Sequence, residues 1–147
     1  MSAGRKIVFV GGVWDLFHVG HLNILKKAKS LGDVLIVGVS TDALVYQYKK
    51  VYPVISQADR LAIISELKCV SWAVFQNELA SVSLMQKLNV DIFVSGEDWK
   101  DWKTWPKEKV PEGYSWIDEN LEMVFLPRTS GISSTSIKKD LNCRDKI

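Results

Sequence analysis

The chain is short of cysteine, histidine, long apolar runs and excess charge, and each shortage removes a class of protein. Cys69 and Cys143 are its two cysteines among 147 residues. They stand half the chain apart with no C-x-x-C neighbour, which argues against a disulfide framework and for buried or incidental thiols in a reducing compartment. The longest apolar stretch near the N-terminus, Ile7 to Trp14, is interrupted by Gly11 and Gly12. It is far too short to cross a bilayer or form a signal core, so a soluble, cytoplasmic protein without membrane insertion is expected. Lys and Arg number 19 against 17 Asp and Glu, a net charge of +2. Broad attraction to nucleic acid or an anionic membrane is therefore not expected, although a local basic site remains open. The sequence also lacks both G-x-G-x-x-G and G-x-x-x-x-G-K-[ST], so neither a dinucleotide fingerprint nor a Walker-type phosphate loop is supported. With 47% apolar and 24% charged residues, one compact domain spanning 1–147 is expected.

What is present is concentrated. Both histidines fall in the tetrapeptide His18-Val19-Gly20-His21, a spacing that random placement gives about 1% of the time. The run Ile7 to Val10 reads as a buried strand stopped by the two glycines. Leu22, Leu25, Ala28 and Leu31 then recur at helical spacing, with Gly32 as the expected C-terminal stop. Val34 to Val39 is a second, continuously apolar strand, as expected where both faces of a parallel sheet are covered. Ser56 and Asp59 resemble a capping box opening a helix through Leu61, Ile64 and Leu67. Further strands are expected at Val70 to Phe75, Asp91 to Val94 and Met123 to Leu126, a helix through Leu84 and Leu88, and a last helix from Ser133 or Ser134. Five strands alternating with helices predict an α/β fold, a single-domain, Rossmann-like, doubly wound parallel sheet with right-handed crossovers. Such sheets bind ligands beyond the carboxyl ends of their strands. Gly11 to His21, Gly96 to Trp99 and Arg128 to Thr135 all follow strand ends, which predicts one shared site. The segment 97–119 has no periodic core pattern and is expected to be a functional loop, a lid or a misassigned element.

The helix after Gly11 and Gly12 offers free N–H groups to an anion, and the glycines permit close backbone approach of a ligand. His18 and His21 would add imidazole donors there; alternatively they cap or pack the helix entry, or ligate a metal. Arg128 can grip phosphate bidentately, with Ser133 and Ser134 either adding hydroxyls at the start of the last helix or simply capping it.

The ten residues Gly12 to His21 resemble the G-x-F-D-x-x-H-x-G-H signature of the cytidylyltransferase family, within the wider HxGH nucleotidyltransferases. Arg128 to Thr135 resembles the R-T-x-G-I-S-T-T signature of the glycerol-3-phosphate cytidylyltransferases, and similarity extends through Gly96-Glu97-Asp98-Trp99. The resemblance implies transfer of CMP from CTP to a small phosphorylated alcohol, giving a CDP-alcohol and pyrophosphate, with Mg2+ or another divalent cation as a nucleotide complex, in a homodimer. It gives His18, His21, Lys49 and Arg128 catalytic contacts to the phosphates. It places Gly11, Gly12, Val13, Asp15, Gly20, Asp98, Thr129, Ile132, Ser133 and Ser134 with the nucleotide. Lys49, Lys50, Arg60 and Trp99 would face the acceptor, with Lys49 and Lys50 either closing over phosphates or forming a solvated turn. Asp15 would orient its loop or approach the metal. Three departures stand out: Val13 replaces a threonine, Trp14 a phenylalanine and Glu97 an aspartate. Trp99, Trp102, Trp105 and Trp116 either line an acceptor pocket, stack on a base, attract a quaternary ammonium, or pin a loop or subunit contact. The other readings carried forward are choline or ethanolamine phosphate as acceptor, adenylyl transfer from ATP, and a non-catalytic nucleotide-binding module.

Overall fold

A computed structural model describes residues 4–145, and side chains as far as Asn142; the thiol of Cys143 lies outside the described residues. Five parallel strands form one sheet in the order β3-β2-β1-β4-β5. These are β1 (Ile7–Gly12), β2 (Val34–Ser40), β3 (Trp72–Gln76), β4 (Ile92–Gly96) and β5 (Glu122–Leu126). The order runs outward in one direction from β1 to β3 and in the other from β4 to β5, so the reversal falls between β1 and β4.

Alternation along the strands divides the core in two. Val8, Val10, Leu35, Val37, Val39, Ile92 and Val94 pack one face with Leu25 and Ala28 of helix α1 (Val19–Ser30) and Ile64 of α3 (Gln57–Ser65). Phe9, Ile36 and Phe93 pack the other with Met85 of α4 (Val82–Lys87) and Ile117 of α5 (Tyr114–Asn120). Both faces are covered, which is why the inner strands read as unbroken apolar runs. Helix α2 (Asp42–Lys49) lies between β2 and α3, and α6 (Ser134–Asp145) follows β5. No described helix is long and apolar enough to cross a membrane.

Several boundaries differ from the sequence expectation. β1 continues through both glycines, pairing Gly11 with Gly38 and Gly12 with Val39. α1 stops on Leu31, and Gly32 lies beyond the cap, where a Cβ would stand 2.8 Å from the carbonyl oxygen of Lys6. Close chain approach, rather than helix termination, requires that glycine. β3 starts at Trp72 because the Val70 N–H closes a turn onto the Leu67 carbonyl. α2 was not expected; Thr41 caps it by accepting from the Leu44 N–H.

Segment 97–119 contains three short 3-10 turns and most of α5. Trp102 is buried, its ring edge-on to Tyr114 at 5.4 Å, while Trp105 and Trp116 pack partly buried against the same core. These tryptophans pin the segment to the sheet. Trp99 touches Trp105 and Tyr114 and also reaches the cavity described next.

Candidate active site

A cavity of about 330 Å3 opens at the carboxyl ends of β1 and β4, where the strand order reverses. The three segments expected to converge do so: Val13, Asp15, His18 and His21 from the first, Gly96, Asp98 and Trp99 from the second, and Arg128, Thr129, Ile132, Ser133 and Ser134 from the third all line it. Gly11, Gly12 and Gly20 line it as well.

The histidine loop is held under strain. Trp14 and Leu16 adopt φ of 59° and 50°, left-handed backbone that costs a non-glycine residue about 1–2 kcal/mol. The Trp14 indole offsets that cost by donating to the Gly38 carbonyl at 2.9 Å and burying its rings. A Cβ on Gly12 would lie 2.8 Å from that indole, and one on Gly11 would collide with the Gln76 amide. Both glycines thus make room for the protein's own side chains on the Cβ side, while their backbone lines the cavity.

His18 is the N-cap of α1. Its Nδ1 accepts from the Gly20 N–H at 3.1 Å, while His21 Nδ1 accepts from the His18 N–H at 3.3 Å. Acceptance at Nδ1 assigns the ring proton of each neutral imidazole to Nε2. The rings stack 3.8 Å apart at 20°. Burial, then the adjacent His18, pushes His21 down to about 4; burial also lowers His18. At neutral pH the pair is uncharged, with two Nε2–H donors. The Nε2 of His18 is buried without a partner, an unsatisfied donor of the kind that native proteins keep for a ligand.

Asp15 is 4% exposed and holds its surroundings together. Its carboxylate accepts from the Val54 and Ile55 N–H groups at 2.8 and 2.9 Å, and Lys138 approaches to 3.2 Å. Burial would raise its pKa; the two amides and Lys138 prevail and lower it. The Asp15 carbonyl accepts from Ser134 Oγ at 2.6 Å. Asp15 therefore orients the loop, and its oxygens are committed to the chain. Among the described residues no group of three His, Cys, Asp or Glu could hold a metal ion. The donor set does not fit a protein-held cation, and the expected approach of Asp15 to a metal is corrected accordingly.

Arg60 is corrected too. Its side chain is wholly buried, donating to the carbonyls of Ile55, Val13 and Ser40 at 2.9, 2.7 and 2.8 Å and pairing with Asp42 at 2.6 Å. It ties the loops under the cavity and touches no ligand space. Lys50 caps α2 in the left-handed conformation and bonds back to the Gln47 carbonyl, outside the cavity lining. Lys49 does line it, and burial followed by the like charges of Lys138 and Arg128 lowers its pKa.

Arg128 is ion-paired with Asp98, and its N–H reaches Glu97 Oε1 at 3.4 Å. Thr129 Oγ1 accepts from Asn23, leaving its own proton free. Ser133 caps α6, accepting from the Ser136 N–H at 3.0 Å, whereas the Ser134 proton is taken by Asp15. The capping reading thus holds for Ser133, whose hydroxyl proton still remains available. Sequence reasoning missed Lys138, Asn23 and Tyr52. For Lys138 a signal existed, since it stands four residues after Ser134 and so on the same face of α6.

A parallel sheet, a helix start and converging N–H, guanidinium and ammonium donors at the strand reversal define an α/β domain that binds a polyanion in the manner of nucleotide-transferring enzymes. Residues 9–140 match the cytidylyltransferase-like family. The chain is 39% identical to the glycerol-3-phosphate cytidylyltransferase of Bacillus spizizenii over 137 residues, covering 92% of this chain and 97% of that protein. It is 40% identical over 99 residues to the bifunctional protein HldE of Citrifermentans bemidjiense, covering 67% of this chain but 20% of that protein. A lipopolysaccharide core biosynthesis protein from Thermoplasma volcanium superposes with a TM-score of 0.69 at 28% identity, covering 86% of this chain and 100% of that one. Pantoate-beta-alanine ligase from Francisella tularensis shares the fold with a TM-score of 0.60 at 16% identity, over 97% of this chain and 71% of that one. The chain belongs to the cytidylyltransferase-like family.

Proposed function

We propose that the chain transfers CMP from CTP to a small phosphorylated alcohol, with glycerol 3-phosphate the first acceptor to test because the Bacillus relative is named for it. A phosphate oxygen of the acceptor forms a bond to the α-phosphorus of CTP. The bond from that phosphorus to its bridging oxygen breaks, and the electron pair leaves with pyrophosphate. The nucleophile is already anionic near neutral pH, so the residues need only orient two polyanions and stabilise the charge that grows on phosphoryl oxygens. The carrying observation is the buried, unpartnered His18 Nε2–H beside the neutral ring of His21. Its donors are fixed before substrate arrives, and neutrality spares the loop a buried charge. Arg128, Lys49 and the Ser133 hydroxyl take the remaining phosphates, and Trp99 borders the acceptor side.

The divalent cation, Mg2+, enters in this reading as part of the nucleotide complex, where it screens the polyphosphate. A homodimer in the cytoplasm completes the proposal; Trp72 and Phe75, 62% and 39% exposed on edge strand β3, supply an apolar surface for a second copy, and sedimentation equilibrium checks it. Catalysis is tested by pyrophosphate release from CTP or ATP with glycerol 3-phosphate, choline phosphate and ethanolamine phosphate. Release is expected only when CTP, Mg2+ and an acceptor are present together. Silence across the matrix would favour a nucleotide-binding module, and release with ATP alone an adenylyltransferase.

A further inference from the structure

Two residues of helix α1 meet the chain between β5 and α6, and both lie on one face of the helix. Gly20 sits close under Ile132, where an added Cβ would stand 3.3 Å from Ile132 Cγ2. Asn23, three residues on and so on the same face, donates from Nδ2 to Thr129 Oγ1 at 3.0 Å. The segment they meet, residues 127–133, belongs to no strand or helix, yet it carries Arg128 and Ser133 to the cavity. Its other side-chain ties to the sheet lie on the surface: the Arg128 N–H reaches Glu97 at 3.4 Å, and Arg128 pairs with Asp98 through side chains 63% and 52% exposed. The Asn23 bond is the half-buried one.

A threonine hydroxyl has one proton to give and two lone pairs to receive with. Asn23 occupies a lone pair of Thr129 Oγ1, and no hydrogen bond among the described residues takes the Thr129 proton. Thr129 lines the cavity and Asn23 does not, so the free proton is on the ligand side and the amide behind it. Asparagine is a poor choice for a helix interior, and an apolar residue would fill a half-buried position without that cost. What the amide adds is direction. Its NH2 group can only donate, whereas a carboxylate at the same place could only accept and would turn the hydroxyl round.

We propose that Asn23 is a positioning residue: by donating to Thr129 Oγ1 it fixes the polarity of that hydroxyl, so that Thr129 presents its proton to an oxygen of the bound polyphosphate. Identifying the polyphosphate as the triphosphate of CTP rests on the transferase reading above; the polarity of the hydroxyl does not. The same bond ties the helix that carries both histidines to the segment that carries Arg128, so the two groups of anion donors keep one separation.

The test uses the full chain with Asn23→Asp, Asn23→Leu, Thr129→Val and Thr129→Ser, and the double variants that combine Asn23→Asp with each Thr129 change. Binding of inorganic tripolyphosphate and of CTP is measured by calorimetry, with kcat, KM for CTP and urea unfolding for every variant. Asn23→Asp draws the Thr129 proton to its own carboxylate and also adds a negative charge, which repels the polyanion whether or not the hydroxyl is there. The loss of affinity from Asn23→Asp should therefore be about 10-fold or more larger in the wild type and in Thr129→Ser than in Thr129→Val, the worth of one hydrogen bond to a charged acceptor. Asn23→Leu leaves the hydroxyl free to turn and should lose about 3- to 10-fold, in KM for CTP rather than in kcat. Equal losses from Asn23→Asp with and without the hydroxyl would reduce the effect to charge repulsion and overturn the proposal. Unchanged tripolyphosphate affinity in Asn23→Asp would overturn it too, and a fall in unfolding stability alone would leave the bond a purely structural tie. Hydroxyl-dependent loss of tripolyphosphate binding in a protein that releases no pyrophosphate from CTP would sink the transferase reading and leave this one standing. A wild type that binds neither tripolyphosphate nor CTP would overturn both.

Discussion

The guanidinium of Arg60 donates to the carbonyl of Val13 at 2.7 Å, joining helix α3 to the loop that carries the histidines. Its other donors serve Ser40, Ile55 and Asp42. One planar fork thereby satisfies carbonyls from three loops that no other side chain could bridge together. Arg60→Met leaves those carbonyls and Asp42 Oδ1 without their partner, with Oδ2 still accepting from the Gln57 N–H, and destabilisation of about 2–4 kcal/mol is expected, measured by urea unfolding. Asp42 is 34% exposed, which keeps the cost below that of a fully buried pair. Arg60→Lys should recover little, because an ammonium cannot reproduce the fork. A raised acceptor KM with unchanged stability would restore the ligand role expected from the sequence.

His18 combines two jobs that substitutions can separate. Alanine removes both the Nδ1 cap on Gly20 and the free Nε2–H. Asparagine keeps an acceptor for the amide but has no donor at the Nε2 position. Both variants are expected to lose about 100- to 1000-fold in kcat, while alanine alone also loses about 1 kcal/mol of stability with the cap. Near-normal turnover by His18→Asn would remove His18 from catalysis.

His21 predicts a pH effect of definite sign. Its pKa is pushed from 6.5 to about 4 in the folded chain, so the unfolded state binds the proton first as pH falls. Stability is then fully present above about pH 6.5 and declines between there and about pH 4. Asp15, whose pKa its backbone amides and Lys138 hold below the ordinary carboxylate range, adds a separate loss at lower pH. Thermal unfolding from pH 4 to 8 should show the first decline in the wild type and a flatter profile in His21→Gln. Identical slopes in the two proteins would contradict the assignment.

Gly12 and Trp14 should be energetically coupled. Gly12→Ala brings a methyl to 2.8 Å from the indole and should displace it, costing about 1–3 kcal/mol together with activity. In a Trp14→Leu background the same alanine should cost much less, giving a coupling energy of about 1 kcal/mol or more. Additive losses in unfolding would show that the clearance is not what fixes Gly12.

Strands were legible because each is an apolar run ended by a glycine, a charge or a turn, and their parallel order followed from the helices between them. α2 was not legible. It has two turns, two buried residues, Leu44 and Val45, and no full apolar stripe to announce it. The motifs located the cavity, since strand ends in such a sheet converge. They could not show direction. Arg60 and Lys50 sit near the expected place in sequence, but one points into the scaffold and the other caps a helix, and only tertiary contacts decide that. The tryptophans of 97–119 lacked a period because three 3-10 turns break it, so their anchoring role is a property of tertiary packing alone.

The position of β1 has a kinetic meaning. Hydrogen-bonded to β2 and β4 and covered on both faces, it is expected to open only when the whole domain unfolds. The histidine loop hangs from that strand. α6 has no buried residue among those described from Ser134 to Asn142, and Ser134 and Lys138 fasten it to Asp15. One wall of the cavity is therefore as long-lived as the fold, and the other can detach at a fraction of that free energy. Amide exchange should be slow through Phe9 and Val10 and fast along α6, so the traffic of polyanions into and out of the site is timed by the helix and not by the histidines.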